Sequence, residues 1–428
     1  MTLERAAETD FPVFIRTCER LAAILPALVL AYPLLIWPLV YAVPVVDETN
    51  LRAPSSALGD FLLNKIYFPG LLVLGAVCAL ACRRPMTKQT FWLIATLALY
   101  LGFCAASAMW SLAPGITLRR ALLEAMVCST LIFAVLCVPR PASVLGPIAW
   151  LMFAVLAVNL LRVLTVPAGP IGHEGIYQHK NTLGATAGLA IVLGIYTMFQ
   201  VKPATRVAAL LSSLIAVFLL LQSQSKTATI LTAIAPLAGL VFYFLCKICR
   251  IPFALALLVP SILVLFGSFV VFDTIEIQYG DIFEWLFGDR TFTGRTLIWQ
   301  FTWEHFRERP WLGYGYSGFW DIGPQSPKLA APNFIAKMAH AHNGYLNTML
   351  ETGLIGLTLL LTVVAVWLIM IGRLALRDPP LFIFAAALAT YVLVTNLMES
   401  DILVPMSAAS SLLLVMAALA AGREGGRP

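Results

Sequence analysis

The sequence is poor in charge: only 12% of its residues are Asp, Glu, Lys or Arg, whereas 60% are hydrophobic and the mean hydropathy is +0.87. A soluble domain carries about twice that charged fraction. The composition therefore excludes a soluble enzyme and indicates an integral membrane protein. Apolar stretches long enough to cross a bilayer recur along the chain, and they lack the alternation of barrel strands, so they predict helices.

Several catalytic signatures are also missing. The sequence has no G-x-S-x-G elbow, no H-E-x-x-H, no P-loop and no dinucleotide-binding glycine motif in a credible context. These absences argue against the corresponding hydrolase, metalloprotease and nucleotide-binding sites. Asp-x-Asp is absent as well, so a metal-dependent nucleotide-sugar site is not indicated, and we expect neither a cofactor nor a bound metal.

The basic residues and the cysteines do not predict a binding site either. The net charge is +6, but the basic residues are scattered among helix ends and form no contiguous basic stripe, so no nucleic-acid partner is expected. The predicted outward loops contain no cysteine, and disulfides are therefore not expected. Cys246 and Cys249 have C-x-x-C spacing, but without a second pair they do not favour a metal or redox site.

What the sequence does contain predicts an all-α membrane protein with about twelve transmembrane helices. The predicted spans cover about residues 20–42, 66–82, 91–108, 120–137, 146–166, 181–200, 206–222, 227–246, 251–272, 345–371, 380–397 and 402–421. No period of about 20 to 50 residues repeats, and no low-complexity linker divides the chain. Residues 1–428 are therefore expected to form a single polytopic membrane domain.

The positions of Lys and Arg predict the orientation, because short cytoplasmic loops are enriched in them. In the short loops they are Arg83, Arg84, Lys88, Arg140, Lys202, Arg206, Lys247, Arg250, Arg373 and Arg377. Both termini are therefore expected in the cytoplasm, and the long segment between spans nine and ten, residues 273–342, is expected outside as a loop subdomain. Its aromatic content predicts that it folds, with a short helix from about Thr296 to Arg307.

Four polar clusters fall in predicted outward loops. They are "GHEGIYQHKNTLG" (172–184), "SQSKTAT" (223–229), "GDRTFTGRT" (288–296) and the segment around "KMAHAHNG" (337–344), with a weaker one in "WSLAPGITLRR" (110–120). They bring Lys180, Lys226, Arg295 and histidines to one side, with few carboxylates among them. This composition suits an anion such as a phosphate or pyrophosphate, held by charge-assisted hydrogen bonds.

Each of these cations also has a purely structural interpretation. Lys180 would belong to the cap of span six, and Lys226 would snorkel to the membrane surface. Arg295 would pair with Asp289 or Glu304. What favours a site is that several separate segments supply the cations together.

His340 and His342 stand directly before the tenth span. Asn343 is a suitable N-cap for that helix, which places His342 at its entrance, where the positive helix end and nearby cations disfavour imidazolium. A neutral imidazole is what a general base requires. On a regular helix, Gly353 and Gly356 return to the face of His342 and leave room for another helix or a lipid chain. His340 is either a second functional residue or one that stabilises the loop.

This segment resembles the signature of the O-antigen ligase and polymerase superfamily, in which His-Asn is followed after nine residues by Gly-x-x-Gly. His342-Asn343, Gly353 and Gly356 fit that spacing completely. The segments "LGYGYSGFW" (312–320), "TGRTLIW" (293–299), "QHKNTLG" (178–184) and "WSLAPGITLRR" also resemble parts of the family in the same order.

The resemblance implies a metal-independent glycosyltransferase in a bacterial inner membrane, with a large periplasmic loop. The donor would be a glycan on undecaprenyl pyrophosphate, attacked by a hydroxyl of a glycan or lipid A core acceptor. Carried over, His342 is the general base and Arg295 stabilises the leaving pyrophosphate. Lys226, where much of the family has arginine, and Lys180 are candidates to bind the phosphate, followed by Arg119 or Arg120.

Two functions inside the family stay open. The combination of "QHKNTLG", "SQSKT" and "TGRT" favours a polymerase of O-antigen or exopolysaccharide, and the alternative is a ligase that attaches the glycan to lipid A core. A third possibility is a polysaccharide transporter or flippase. Transporters place ionisable residues near the bilayer midplane, whereas here they collect at outer helix ends, with Arg162 as the exception.

Overall fold

The computed structural model describes residues 3–40, 62–138, 140–200, 203–257, 259, 284, 294–331 and 333–422. This part of the chain consists of helices joined by turns and contains no named β-strand. Together with the apolar composition, it confirms the predicted all-α integral membrane protein.

The first nine helices are α1 (Leu3–Ala31), which runs through a π-helical turn (Tyr32–Ile36) into α2 (Trp37–Val40), then α3 (Leu62–Cys82), α4 (Lys88–Ala106), α5 (Pro114–Cys137), α6 (Pro141–Thr165), α7 (Lys180–Gln200), α8 (Pro203–Ser223) and α9 (Lys226–Ile248). Then come α10 (Arg295–Glu308), α11 (Gly344–Gly372), α12 (Leu374–Arg377), α13 (Pro379–Thr395) and α14 (Ala408–Ala421). Side chains of Thr87, Asn343, Asp378 and Ser407 cap α4, α11, α13 and α14 by accepting backbone N–H groups.

Within the described ranges, nine helices are long and apolar enough to cross a membrane. They correspond to the first eight predicted spans and to the tenth. The predicted eleventh and twelfth spans correspond to α13 and α14, which are shorter apolar helices. The ninth, residues 251–272, lies mostly outside the described residues. A multi-pass helical protein is thus confirmed, whereas the count of twelve and the orientation stay predictions.

The two short helices α13 and α14 lie at the centre of the bundle, since most of their side chains are covered by other helices. The last span was expected to start at residue 402, but α14 begins only at Ala408. Residues 402–407 form a turn instead, with left-handed backbone at Leu403 and Met406 and a cap at Ser407. The segment 396–401 therefore lies beside the start of α11, where the N–H of Gly344 donates to the carbonyl of Asn396 at 2.8 Å.

Helix α11 is interrupted at Gly353, whose backbone has φ 68° and ψ −169°. The loop before α11 docks on this break: the N–H groups of Tyr314 and Gly315 donate to the carbonyls of Leu350 and Glu351 at 3.1 and 2.7 Å. In return, the N–H of Leu354 donates to the carbonyl of Pro310 at 2.8 Å. The expectation of a regular helix with a cleared face running from His342 to Gly356 was therefore wrong, because the loop backbone occupies the space at Gly353.

The described part of residues 273–342 folds around aromatic side chains. The predicted helix over about Thr296–Arg307 is present as α10. Its inner face packs with buried Tyr314, Phe319 and Trp320 into a separate apolar cluster. The loop thus forms a packed layer over the start of α11, which fixes the chain on both sides of the histidine segment.

Candidate active site

The histidine segment is held in place by its backbone. The indole N–H of Trp299 donates to the carbonyl of Ala341 at 3.1 Å, and the N–H of Ala341 donates to Asn347 Oδ1 at 3.1 Å. Asn343 caps α11 by accepting the N–H groups of Tyr345 and Leu346. His342 precedes the helix in a left-handed conformation, with φ 49°. His342 therefore lies outside the regular helix, which begins at Gly344.

The imidazole of His342 meets a carboxylate that the sequence analysis did not select. Its Nδ1 lies 2.9 Å from Oε2 of Glu399, in the turn after α13. The other oxygen, Oε1, accepts hydrogen bonds from Nη2 of Arg295 at 3.0 Å and from Nδ2 of Asn181 at 2.8 Å. One carboxylate therefore links four segments that lie far apart in the sequence.

Hydrogen bonding distinguishes the two histidines. Glu399 accepts from Nδ1 of His342, so this nitrogen carries the proton of the neutral ring and Nε2 carries the lone pair. In His340 the arrangement is reversed, since its Nδ1 accepts the backbone N–H of His342 at 3.1 Å and the proton is left on Nε2, which lies 3.9 Å from Glu399 Oε2. His342 is thus prepared to accept a proton at Nε2, and His340 is a neighbour that supports the bend of the chain.

The electrostatics of the cluster keep Glu399 ionised. Burial alone would raise the pKa of Glu399, but the hydrogen bond from His342 and the charges of His342, His340 and Arg295 outweigh it and lower that pKa to about 2. Desolvation and the neighbouring His342 lower the pKa of His340 to about 4, so that His340 is neutral at physiological pH. Burial also lowers the pKa of His179, which lies close to Glu399 and His342. The site thus places an ionised Glu399 beside a neutral His340.

A second carboxyl group lies next to the first. Burial and the charge of Glu399 raise the pKa of Asp401 to about 7. The backbone of this turn is fixed by Asn396, whose Oδ1 accepts the N–H groups of Asp401 and Ile402 at 2.9 and 3.1 Å. The turn therefore presents Glu399 from a rigid backbone.

Glu399, His342, His340, Arg295 and Asn181 form the cluster around the Glu399 carboxylate. Some of the other predicted site residues lie near this cluster, and others contact different parts of the fold. Lys180 lies next to Asn181 and its Nζ donates to the carbonyl of Ile171 at 2.7 Å. Lys226 is exposed at the first position of α9, directly after Ser225. Arg295 belongs to the cluster itself, through the partner Glu399. The partners expected from the sequence are Asp289, which lies outside the described residues, and Glu304.

Arg120 contacts a different part of the molecule. It is buried, and its guanidinium donates to the carbonyls of Ser317 and Asp321 at 2.7 and 3.1 Å. The carboxylate of Glu351 accepts the N–H of Ser317 at 2.9 Å. Arg120 thus supports the loop that docks on the α11 break, and its expected contact with a phosphate stays a prediction.

The spacing of three side chains in the cluster would also suit an ion. Donor atoms of His340, His342 and Glu399 all lie within 4.8 Å of one another. Arg295 shares the same carboxylate, however, and a guanidinium at this distance opposes a second cation. The charge balance therefore favours proton transfer over metal binding.

Glu399 and Asp401 were missed by the sequence analysis, although a signal was present. The tripeptide "ESD" (399–401) places two carboxylates in the short gap between the predicted eleventh and twelfth spans, in a very apolar part of the chain. Placing ionisable side chains at a membrane boundary costs free energy, and such residues are commonly functional. Counting the acidic residues as well as the basic ones in the predicted outward loops identifies both of them.

Comparisons with known proteins bear on the family of the chain. Residues 208–361, which include Arg295 and His342, match the family model described as O-antigen ligase. The chain is also 29% identical over 323 residues to the exopolysaccharide production protein ExoQ of Rhizobium meliloti (strain 1021), covering 73% of each protein. Together with the His-Asn and Gly-x-x-Gly spacing, these matches support the resemblance of the chain to the O-antigen ligase and polymerase superfamily.

Proposed function

We propose that the protein is a polymerase of O-antigen or exopolysaccharide that transfers a glycan from undecaprenyl pyrophosphate to a hydroxyl of another glycan. The observation that carries this proposal is the hydrogen bond of 2.9 Å between His342 Nδ1 and Glu399 Oε2. It leaves Nε2 with a lone pair, in a cluster that also holds the guanidinium of Arg295. A base beside a cation is the pair of groups that such a transfer needs.

In the proposed reaction, His342 Nε2 takes the proton of the acceptor hydroxyl while the oxygen attacks the anomeric carbon of the donor. The new glycosidic bond forms as the bond from the anomeric carbon to the pyrophosphate oxygen breaks, and the leaving pyrophosphate takes that electron pair. Glu399 stabilises the imidazolium that is formed. Arg295 neutralises charge on the pyrophosphate. No metal is required in this scheme.

The location of the reaction is part of the proposal. The Lys and Arg of the short loops point to cytoplasmic termini, which would put the cluster at the periplasmic face of a bacterial inner membrane. A lipid-linked donor would then enter from the bilayer, with exposed Lys226 and neighbouring Lys180 as further contacts for its phosphates. This arrangement agrees with the fact that nucleotide sugars are not available outside the membrane.

Polymerisation is favoured over ligation by two observations. The relative from Rhizobium is named for exopolysaccharide production, and the segments "QHKNTLG", "SQSKT" and "TGRT" point the same way. The family description, O-antigen ligase, makes transfer to lipid A core the alternative.

The test uses purified protein in nanodiscs with a lipid-pyrophosphate glycan, offered alone or with lipid A core. Products are separated on a gel that resolves glycan length. A ladder formed from the donor alone supports the polymerase. A single transfer that occurs only with the core supports the ligase instead, and no transfer in either reaction contradicts glycosyl transfer.

A further inference from the structure

Asn181 contacts the same carboxylate as His342 and Arg295. Its Nδ2 donates to Oε1 of Glu399 at 2.8 Å from a position 218 residues earlier in the chain. Oε1 thus accepts from Asn181 and Arg295, whereas Oε2 accepts from His342. Two donors on one oxygen fix the plane of the carboxylate, and this plane determines where Oε2 meets the imidazole.

The amide of Asn181 is itself oriented by Ser225. The hydroxyl of Ser225 donates to Asn181 Oδ1 at 3.1 Å. Because the amide oxygen is engaged in this way, the NH₂ group is the one that faces Glu399, and turning the amide over would lose both hydrogen bonds. The two side chains therefore form one oriented pair behind the carboxylate.

The contact between Asn181 and Ser225 depends on the close approach of α7 and α9. A Cβ built on Gly184 would lie 2.7 Å from Cβ of Ser225, so only glycine allows the two helices to come this near. Ser225 is buried at 3% exposure and stands directly before α9. The packing of two membrane helices is thereby coupled to the position of Glu399.

We propose that Asn181, oriented by Ser225, is a positioning residue for proton transfer. It holds the Glu399 carboxylate so that His342 keeps its proton on Nδ1 and its lone pair on Nε2. This inference rests on the proposed function, because it assigns Asn181 to the same step. Asn181 is neutral, so it fixes the carboxylate without competing for its charge, which remains available to the imidazolium.

The charged groups around Glu399 and His342 determine what a new charge at position 181 would do. Among the described residues, His179, His340, Arg295 and Asp401 are titratable or charged groups near Glu399 or His342, and Lys180, Glu174 and Asp321 act on the neighbouring histidines His179 or His340. A carboxylate at position 181 would add negative charge on the side of Glu399 opposite the imidazole. It would stabilise the imidazolium, and a higher pH would be needed to obtain the free base.

Four variants of the full-length protein test the proposal: Asn181→Ala, Asn181→Asp, Ser225→Ala and, as control, Thr182→Ala. Thr182 is the next residue and its side chain is exposed. With the lipid-pyrophosphate glycan as substrate, we expect kcat to fall about tenfold in Asn181→Ala and about threefold in Ser225→Ala, with the donor KM unchanged. In Asn181→Asp the acid limb of the pH–rate profile should move up by about one pH unit. Thr182→Ala should match the wild type.

A second readout needs no substrate. Diethyl pyrocarbonate modifies the neutral imidazole, and peptide mass spectrometry follows its reaction at His342 as a function of pH. We expect the pH of half-maximal modification to rise in Asn181→Asp and to stay unchanged in Thr182→Ala. If the wild type never transfers glycan, the proposed function fails while this measurement still judges the role of Asn181.

Two results would overturn the inference. One is an unchanged kcat with an unchanged pH dependence of His342 modification in both Asn181 variants. The other is a loss of activity in both variants while the modification of His342 stays as in the wild type, because that pattern marks a structural role. Thermal unfolding of each variant in the same nanodiscs identifies any that fail to fold. If the Asn181 variants fail to fold, the activity of Ser225→Ala tests the proposal in their place.

Discussion

His342 and Glu399 are 57 positions apart in the sequence, and their side chains meet through a hydrogen bond of 2.9 Å between Nδ1 and Oε2. This contact assigns the protonated nitrogen of the imidazole and leaves Nε2 as the basic one. It also connects the start of α11 with the turn after α13. The pair is therefore the point at which the fold and the proposed chemistry depend on each other.

Replacing Glu399 by Gln tests the role of the carboxylate charge. The pKa of Glu399 is about 2, so this group stays ionised at physiological pH and does not itself produce the acid limb of the rate profile. In Glu399→Gln the imidazolium loses its neighbouring charge, so we expect a loss in kcat of about 10² and an acid limb displaced to lower pH. An acid limb that stays in place or rises, measured as kcat against pH, would contradict this role.

Arg295 is expected to act through its charge and its planar donors. Arg295→Lys keeps the charge but loses the fork, so the rate should fall about tenfold, whereas Arg295→Ala should lose about 10² to 10³. Arg309→Ala is the matched control, because Arg309 lies just beyond the other end of α10 against the ring of Tyr314. Initial rates with the lipid-pyrophosphate donor provide the measurement. Equal activity of Arg295→Ala and the control would exclude the assignment.

The break in α11 should require glycine. Gly353 has a positive φ, and a Cβ at this position would meet the backbone of Trp311. We expect Gly353→Ala to lower the free energy of unfolding by about 2 kcal/mol or more and to reduce activity by displacing the docked loop. Gly70→Ala is the control, since nothing lies within 4 Å of a Cβ there. Thermal unfolding that shows the same stability for both variants would contradict the role of the break.

Removing divalent ions should leave transfer intact. The proposed mechanism uses a base and fixed cations, and Arg295 opposes a metal ion at the carboxylate of Glu399. We therefore expect protein dialysed against EDTA to retain its transfer rate within about twofold. Loss of activity on chelation, followed by recovery with one added metal, would reassign the spacing of His340, His342 and Glu399 to metal binding.

The elements that follow from local pattern could be predicted from the sequence. Continuous apolar stretches predict membrane helices, the Asn343 side chain caps α11, and the amphipathic pattern around Thr296 predicts α10. Each of these features depends on residues within one or two turns of the chain. The segments that carry Arg295 and His342 were also selected correctly as neighbours in space.

The features that depend on distant contacts could not be predicted in this way. Whether a cation faces a ligand or a carbonyl is decided by what folds against it, as the contacts of Arg120 with Ser317 and Asp321 show. The break at Gly353 exists because the backbone around Trp311 docks on it. The contact of Glu399 with His342 likewise needs the turn before α14. From its apolar residues alone, this turn is predicted to be part of the last helix.

The most direct test of the central claim compares His342→Ala with His340→Ala in polymer formation from the lipid-pyrophosphate glycan. The two rings are neighbours, with centroids 4.2 Å apart, but only His342 has a basic Nε2 prepared by Glu399. We expect His342→Ala to lower the transfer rate by about 10² to 10⁴, and His340→Ala to lower it by less than about tenfold. A polymer ladder from His342→Ala as intense as that of the wild type would contradict the assignment of His342 as the general base.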